Sequence, residues 1–359
     1  MGHTFIPGLE LTELFCREAV RPILDNRFPD LVHSAALIGP GSEVLGFDTS
    51  QSTDHDWGPR VMLFLSEADH EALRDELDQV LRRELPREVG GYSTHFARHG
   101  DGTTWMVPAE DGPVAHRVRV LTIRGFFQSL LGFDPTGPIR AADWVSVPQQ
   151  ILLSLTAGRV FHDGLGQLEP LRKKLSYYPD DVWLYLLSAQ WMRISQEEPF
   201  MGRCGQVGDD LGSRLIAGRL VRDLMGLCFL MERCYAPYVK WFGTAFAQLD
   251  CAADLQPVLT QVLSAETWHE RQTHLTTAYE YAARKHNALG ITEPVEPKVS
   301  PFFDRPFLVI HGERFADALR AQIEDKEVLA LPVHLGSVDQ FTDSTDAQKY
   351  LDRIKGVYE

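Results

Sequence analysis

Several features that place a protein outside the cytosol or in a membrane are missing from this sequence. Cysteine is scarce, odd in number and without a C-x-x-C pair; the five residues are Cys16, Cys204, Cys228, Cys234 and Cys251. Thiols scattered in this way predict reduced, mostly buried side chains in a cytosolic protein instead of a disulfide framework. The longest apolar run, Leu224 to Met231, is far shorter than the roughly 20 residues of a membrane span.

The N-terminal segment also lacks a basic stretch followed by an apolar one, which is the pattern of a secretory signal peptide. The sequence therefore predicts a soluble, cytoplasmic protein with no membrane partner. Its 359 residues, 44% of them hydrophobic and 24% charged, suffice for two or three domains with buried cores. This composition excludes the disordered and fibrous classes.

Positive charge is in short supply, because 35 lysines and arginines stand against 50 aspartates and glutamates, giving a formal net charge of −15. Proteins that bind DNA or RNA without sequence preference depend on lysine and arginine to replace counterions along the phosphates. We therefore expect no nucleic-acid partner. A small basic pocket is still compatible with this balance.

Two common hydrolase signatures are absent as well. The chain has no Gly-x-Ser-x-Gly sequence, which excludes the simplest serine hydrolase. His269 and His274 are separated by five positions, and five residues of a helix turn by about 140°. The two rings therefore do not face one metal as they would in a zinc protease.

What the sequence does contain is an N-terminal region in which helices and strands alternate. Helical spacing of apolar residues predicts helices over 9–28 and 67–83. Short apolar or alternating runs predict strands, which cover 35–38, 44–47, 61–65 and 114–123. From about residue 144 the pattern is helical, with helices expected over 147–158, 181–197, 209–235, 238–250, 254–264 and 266–288.

Residues 292–297 contain two prolines and little that could be buried, and they predict a linker. Beyond it we expect strands over 307–311 and 328–331 and helices over 313–321 and 344–354. The prediction is an α+β protein in three parts: an N-terminal domain with a mixed sheet and helices (1–143), an all-α helical domain (144–291) and a small C-terminal α/β appendage (298–359).

The segment from Leu37 to Asp56 carries the clearest chemical signal. Gly41 and Ser42 follow a predicted strand, and such a turn exposes backbone N–H groups and a hydroxyl to a phosphate. On an extended strand, Asp54 and Asp56 would share one face. Paired carboxylates repel each other unless a cation lies between them, and Mg²⁺ prefers hard oxygen ligands. The segment predicts a metal-nucleotide site, the alternative being a polar hairpin with solvated carboxylates.

An apolar strand, a Gly-Ser turn and a following Asp-x-Asp pair resemble the signature of the nucleotidyltransferase superfamily of the DNA polymerase beta type. More narrowly, most of residues 10–290 resemble the bacterial family called domain of unknown function 4037, which is assigned to that superfamily. The matching segments are Gly41–Glu43, Leu45–Asp48, Asp54–Arg60, Ala157–Phe161 and Tyr238–Phe242.

The resemblance implies a nucleotidyltransferase-like sheet in the N-terminal domain, with Ser42 positioning nucleotide phosphates. By the same resemblance, Asp54 and Asp56 hold Mg²⁺ or Mn²⁺, and the helical domain binds the acceptor, as in aminoglycoside and minimal nucleotidyltransferases. Active superfamily members usually carry a third acidic residue on a later strand, but the predicted strand over 116–123 has none. Substitutes for that residue or for the base are Glu43, Asp48, His55, Glu110, Asp111 and His116.

Basic residues are candidates for neutralising the triphosphate. Arg60 follows Gly58 and Pro59 and could contact a phosphate or form a surface ion pair. Lys240 lies in an aromatic run; if it is buried there it needs an anion, either a phosphate group or a carboxylate such as Glu232.

In the helical region, Arg193, Glu197 and Glu198 either line a cleft or form a solvated helix end. Residues 202–208 contain glycines enough for a phosphate loop, but no strand precedes them, so they predict an ordinary loop.

The first functional hypothesis is a nucleotidyltransferase: Asp54 and Asp56 bind the metal, an acceptor hydroxyl attacks the α-phosphorus of ATP or another NTP, and pyrophosphate leaves. The acidic surface favours a cationic small molecule or a protein side chain as the acceptor. The alternative is a nucleotidyltransferase-fold module that binds nucleotide or another protein without catalysis. A third hypothesis is a phosphotransferase or hydrolase that uses the same aspartates and releases phosphate.

Overall fold

The computed structural model describes residues 5–100, 102–108, 111–342, 344 and 350–359. Its strands are β1 (Ser34–Leu37), β2 (Arg60–Leu65), β3 (Glu88–Val89), β4 (Tyr92–Ser93), β5 (Phe96–Arg98), β6 (Thr104–Met106), β7 (Arg117–Thr122), β8 (Arg159–Asp163), β9 (Ser300–Pro301) and β10 (Leu308–Val309). Its helices are α1 (Gly8–Phe15), α2 (Arg21–Arg27), α3 (Glu67–Glu84), α4 (Ile123–Leu131), α5 (Ala141–Ser146), α6 (Gln149–Thr156), α7 (Leu168–Lys174), α8 (Asp180–Gln206), α9 (Asp210–Met231), α10 (Val239–Phe246), α11 (Ala252–Ser264), α12 (Trp268–Ala288), α13 (Glu313–Arg320), α14 (Lys326–Leu329), α15 (Val338–Phe341) and α16 (Leu351–Lys355).

The chain divides into two compact units, each built from two separate segments. The first unit comprises Met1–Pro138 and Ile151–Ser176, and the second comprises Ile139–Gln150 and Tyr177–Glu359. The structure is a mixture of α and β with small sheets and a helical region, as the sequence predicts. The division into three sequence-defined domains stays a prediction.

The main sheet belongs to the first unit, where the strands lie in the order β7-β2-β1-β8. Strand β1 runs antiparallel to both β2 and β8, whereas β2 runs parallel to β7. These directions place the end of β1 beside the starts of β2, β7 and β8. Four segments of the chain therefore meet at one end of the sheet.

The two faces of this sheet differ because side chains alternate along each strand. Val61, Leu63 and Leu65 of β2 face a core formed with α1, α2 and α3. Phe64, on the other face, contacts Phe126 of α4 with ring centroids 5.6 Å apart. A π-helical turn, Cys16–Val20, joins α1 to α2 and also contributes to the core.

In the second unit, the long helices α8 and α9 pack against each other and are covered by α11, α12 and α13. Gly202 and Gly205 lie within α8, so the loop predicted over 202–208 is wrong for these residues. A Cβ atom on Gly202 would overlap the side chain of Phe307, and one on Gly205 would overlap that of Trp268. The glycines therefore allow close packing and do not form a phosphate loop.

Glu198 of α8 is a buried carboxylate that holds the chain before α13. It accepts hydrogen bonds from the backbone N–H groups of Ile310 at 2.6 Å, His311 at 3.2 Å and Gly312 at 3.2 Å. Burial raises the pKa of Glu198 to about 7, against the hydrogen bonds that lower it. The solvated helix end considered for this residue is therefore wrong.

Further differences separate prediction from structure. Residues 44–47, predicted as a strand, form turns, and residues 328–331, also predicted as a strand, begin inside helix α14. Strand β8 was not predicted, and neither were helices α4, α5 and α7 or the short strands β3, β4, β5, β6 and β9. Within the described part of the chain, no helix combines the length and the apolar character needed to span a membrane.

Candidate functional site

A tight turn follows β1 at the end of the sheet where four segments meet. Gly41 has φ +148°, and a Cβ atom there would overlap the guanidinium of Arg60 and the carboxylate of Glu43. Arg60 Nη2 lies 2.6 Å from Glu43 Oε1 and donates to the carbonyl of Pro40 at 2.7 Å. The absence of a side chain at position 41 thus lets an ion pair close over the turn.

Gly158, just before β8, holds the same turn from the other side. Its φ is +73°, and a Cβ atom there would overlap the carbonyl oxygen of Leu37 at the end of β1. Its N–H donates to the carbonyl of Val44 at 3.0 Å, and the N–H of Phe47 donates to the carbonyl of Ser42 at 2.9 Å. Ser42, which is half-buried, therefore starts a turn fixed by backbone contacts.

The Asp-x-Asp pair does not lie on an extended strand, and that part of the sequence argument is wrong. Residues Ser50–Asp54 form a 3-10 turn, and Asp56 has a positive φ of 51°. The ring of His55 contacts Asp54, with Nδ1 2.9 Å from Oδ1. Although desolvation acts in the opposite direction, hydrogen bonds from the ring and backbone of His55 lower the pKa of Asp54.

Asp56 is anchored to β6 and approaches β7. Its Oδ1 accepts from the N–H and the hydroxyl of Thr104 at 3.2 and 2.8 Å, and its own N–H donates to the Thr104 carbonyl at 2.6 Å. Arg117 Nη2 lies 3.7 Å from the same Oδ1. These contacts converge on Oδ1, so within the described residues Oδ2 has no partner.

Arginines occupy the face of the sheet opposite the helical core. Arg60 pairs in register with Arg117, and Met62 pairs with Arg119, so these arginines share one face. Burial, followed by the charge of Arg60, lowers the pKa of both Arg117 and Arg119. Arg60 Nε and Arg117 Nη1 are buried donors without a hydrogen-bond partner among the described residues. This cluster offers positive charge and unused donors beside Asp56.

The acids and histidines considered as substitutes for a third carboxylate have other surroundings. Asp48 Oδ2 accepts from the backbone N–H of Gly8 at 2.7 Å and from the indole of Trp57 at 2.9 Å, which makes it part of the scaffold. His116 is buried against α3, and this burial lowers its pKa. Asp111 is exposed and pairs with Arg87, and Glu110 lies outside the described residues.

Asp54 and Asp56 are the carboxylates that could bind a divalent cation at this site. Among the described residues, His, Cys, Asp and Glu form no group of three or more that could hold a metal. The carboxylates of Asp54 and Asp56 are, however, 66% and 49% exposed. Mg²⁺ keeps several waters and is often bound by one or two carboxylates together with substrate phosphates. Asp54 and Asp56 each present an exposed carboxylate of the type that such a cation binds.

Lys240, the remaining predicted site residue, belongs to the second unit. It is exposed on α10, with its Nζ 5.0 Å from the ring centroid of its neighbour Trp241. The premise that it is buried among aromatics and needs an anion is wrong, and Glu232 pairs instead with Lys285 at 3.0 Å. A role for Lys240 in binding phosphate stays a prediction.

Comparison with known families supports only part of the expected relationship. Residues 144–242 match a family model described as Domain of unknown function (DUF4037). No curated protein matches the chain, and no solved structure does. The matched segment contains Ala157–Phe161 and Tyr238–Phe242 but not the Gly41–Ser42 turn or Asp54 and Asp56. The resemblance to the family of unknown function is confirmed over that segment, and membership of the nucleotidyltransferase superfamily stays a prediction.

Sequence reasoning missed Arg117, Arg119 and Thr104 as members of this site. The alternation of arginine and valine over 117–120 predicted a strand, and it also put both arginines on one face. The missing step was the parallel pairing with β2, which brings Arg117 beside Arg60. Thr104 gave no signal, because its contact with Asp56 joins residues 48 positions apart.

Proposed function

We propose that the chain is a nucleotidyltransferase that moves a nucleoside monophosphate from an NTP, with ATP the first candidate, to a hydroxyl group. The observation that carries the proposal is the meeting of the Gly41–Ser42 turn, Asp56 and the arginines at one end of the sheet. An accessible carboxylate pair and a basic face with unused donors suit a metal-bound polyphosphate.

In this proposal, Asp54 and Asp56 hold Mg²⁺ or Mn²⁺, which supplies charge neutralisation at the phosphates. Arg117 and Arg119 bind phosphate oxygens, and Ser42 orients the phosphate chain through the turn that begins at Gly41. Arg60 holds Glu43 and positions this turn. Positioning and electrostatic stabilisation account for catalysis, since no covalent intermediate with the protein is required.

The acceptor belongs to the same proposal. The hydroxyl oxygen attacks the α-phosphorus and its proton passes to solvent, while the bond from that phosphorus to the bridging oxygen breaks and pyrophosphate leaves. The net charge of −15 favours a cationic small molecule or a protein side chain over a nucleic acid.

Nucleotide binding tests the site before any acceptor is known. Calorimetry of the full chain with ATP should give binding that requires Mg²⁺ and is lost in EDTA. The double variant Asp54→Asn with Asp56→Asn should bind Mg-ATP at least about tenfold more weakly. Asp75→Asn on α3, an equally conservative change at an 84% exposed carboxylate, is the matched control and should bind normally.

Product analysis then separates the activities. Candidate cationic acceptors and the chain alone are incubated with each NTP, and pyrophosphate and phosphate are measured separately. Pyrophosphate that disappears in the double aspartate variant supports the proposal, whereas phosphate release indicates the phosphotransferase or hydrolase. Unchanged Mg-ATP binding by the double variant would falsify the proposed site.

A non-catalytic nucleotide-binding or protein-interaction module is the second candidate function. One observation favours it: Arg117 of β7 approaches Asp56, and the next residue on the same face of the strand, Arg119, is also an arginine and not a carboxylate. Such a module can hold a polyphosphate but has no third acid to activate an acceptor hydroxyl. Mg-ATP binding without pyrophosphate release, for every acceptor and with Mn²⁺ as well, would support this candidate.

A further inference from the structure

The second unit contains a cavity of about 400 Å³ that the proposed function does not use. It is lined by residues from the start of α6, from α8, α9 and α10, and from α15. Sites for small organic ligands have volumes of roughly 300–1,000 Å³ and combine an apolar surface with a few polar groups. The cavity has the size and, as follows, the lining of such a site.

Arginines form part of the cavity wall. Arg193, Arg219 and Arg222 line it, against the acidic side chains Asp223 and Asp339. Arg193 pairs with Asp223, and Arg219 pairs with Glu197, so acidic side chains hold these arginines in place. A guanidinium group has five N–H donors, so an arginine that pairs with one carboxylate through a single nitrogen keeps other donors for an oxyanion.

A hydrogen-bond network holds this wall in place. Arg193 Nε donates to Asp223 Oδ1 at 3.2 Å and its Nη1 to the carbonyl of Gln340. Gln190 donates to the carbonyl and the carboxylate of Asp223 at 3.0 and 3.2 Å. Gln340 in turn donates to Gln190 Oε1 at 2.9 Å. The polar groups are thus fixed before a ligand arrives, which reduces the entropy lost on binding.

Another part of the lining is apolar and aromatic, with Tyr238 and Phe242 as its largest members. Beside it, Gln149 Oε1 accepts from the backbone N–H of Ala236 at 3.0 Å, and Gln150 Oε1 accepts from Tyr238 at 2.9 Å. The amide –NH₂ group is therefore what each glutamine has left to offer a ligand. The cavity combines guanidinium and amide donors with aromatic side chains.

We propose that this cavity binds a small organic anion. Its planar apolar part packs against Tyr238 and Phe242, and its carboxylate or phosphate group lies against Arg219 and Arg222. Guanidinium groups match either oxyanion by paired N–H donors. The proposal does not depend on nucleotidyl transfer, since all the residues named belong to the second unit.

Matched probes test the charge requirement. Benzoate and phenyl phosphate supply a flat ring with a carboxylate or a phosphate, and benzamide supplies the ring without charge. Calorimetry and thermal unfolding of the full chain should show at least one anion binding about tenfold more tightly than benzamide. Comparison of the two anions identifies the preferred oxyanion. If neither anion binds better than benzamide, the proposal is wrong.

Variants locate the binding. Arg222→Gln should weaken binding of the preferred anion by about tenfold, and Phe242→Leu should weaken it severalfold while keeping an apolar contact with Phe229. Arg214→Gln is the matched control, because Arg214 lies on the same helix and pairs with Asp210 outside the cavity. Equal affinity in wild type and Arg222→Gln would overturn the assignment. The Asp54→Asn, Asp56→Asn variant should retain this binding.

Discussion

The end of the sheet in the first unit and the cavity in the second unit are built by different means. The first depends on backbone: Gly41 and Gly158 adopt positive φ angles, and the turn they fix carries Ser42. The second depends on side chains, because Arg193, Asp223 and Gln340 form its wall across helices far apart in sequence. A site built from backbone turns can be predicted from a short stretch of sequence. A side-chain network between helices can be identified only once the packing of those helices is known.

The two regions share one property despite this difference. Both gather arginines in an acidic chain: Arg60, Arg117 and Arg119 lie on the sheet, and Arg193, Arg219 and Arg222 line the cavity. Most of the cavity lining also falls within the segment 144–242 that matches the family model, whereas the Asp-x-Asp pair lies outside it. The net charge alone revealed neither group of arginines.

The largest expected effect concerns the side-chain network of the cavity. Asp223→Ala leaves Arg193 and Gln190 without their shared acceptor, so we expect the free energy of unfolding to fall by about 3 kcal/mol. Urea denaturation measures this loss. Asp304→Ala, at a 95% exposed carboxylate of the same unit, should change stability by less than about 0.5 kcal/mol. Equal stability of the two variants would show that the network does not hold the wall.

The corresponding test in the first unit acts on the backbone. Gly158→Ala places a side chain on a left-handed backbone and makes it overlap the Leu37 carbonyl. We expect this substitution to lower the free energy of unfolding by about 2 to 3 kcal/mol. Gly166→Ala is the matched control, because Gly166 has a similar φ of +65° but no atom within 4 Å of an added Cβ. We expect it to cost only about 1 kcal/mol in denaturant titrations. If both variants lose the same amount, close packing against β1 contributes nothing.

A third test uses pH to examine a buried carboxyl group of the second unit. The buried Glu198 keeps its proton up to a pKa of about 7, whereas an unperturbed carboxyl loses it near 4.5. Between these values the unfolded chain binds fewer protons, so the contribution of Glu198 to stability falls as pH rises. Between pH 5 and pH 7, the free energy of unfolding of the wild type should fall by about 2 kcal/mol more than that of Glu198→Gln.

Denaturant titrations at several pH values check this difference. The comparison with Glu198→Gln removes titrations common to both proteins, such as that of His286, whose pKa burial lowers to about 4. Parallel stability curves for the two proteins would contradict the expectation.

The smallest expected effects are in affinity, and they test whether the two basic regions are independent. Arg119→Gln should weaken Mg-ATP binding by about tenfold and leave phenyl phosphate binding unchanged within about twofold. Arg222→Gln should give the reverse pattern. Calorimetry of both variants with both ligands measures the four values. A variant that weakens both ligands equally would indicate a single shared site.

Regular elements with strong periodicity were predictable from the sequence, and irregular ones were not. The apolar run before Gly39 gave β1, and the spacing of Leu73, Leu77 and Leu81 gave α3, because each pattern arises from one buried face. Val44 suggested a strand by its apolar character, but the turn closed by Gly41 and Gly158 places it in a loop. Val328 lies in a four-residue helix, α14, which is too short for periodicity to reveal.

For the candidate site, the sequence predicted the turn and the aspartates but not their geometry. Asp54 and Asp56 were assigned to an extended strand, yet Asp54 ends a 3-10 turn that Thr49 caps. Asp56 has a positive φ and forms hydrogen bonds with Thr104, which is distant in sequence. The cavity could not be predicted, since Gln340 reaches Gln190 across 150 positions of the chain. Contacts of this length leave no local pattern.

The position of β8 has a practical consequence for dissecting the protein. This strand pairs with β1, yet it follows the segment Ile139–Gln150 that belongs to the other unit. A fragment cut after residue 143, where the sequence first suggests a boundary, would leave one side of β1 with exposed N–H and C=O groups. Unpaired strands of this kind recruit other chains and aggregate. Expression fragments that contain the first unit should therefore extend through Ser176.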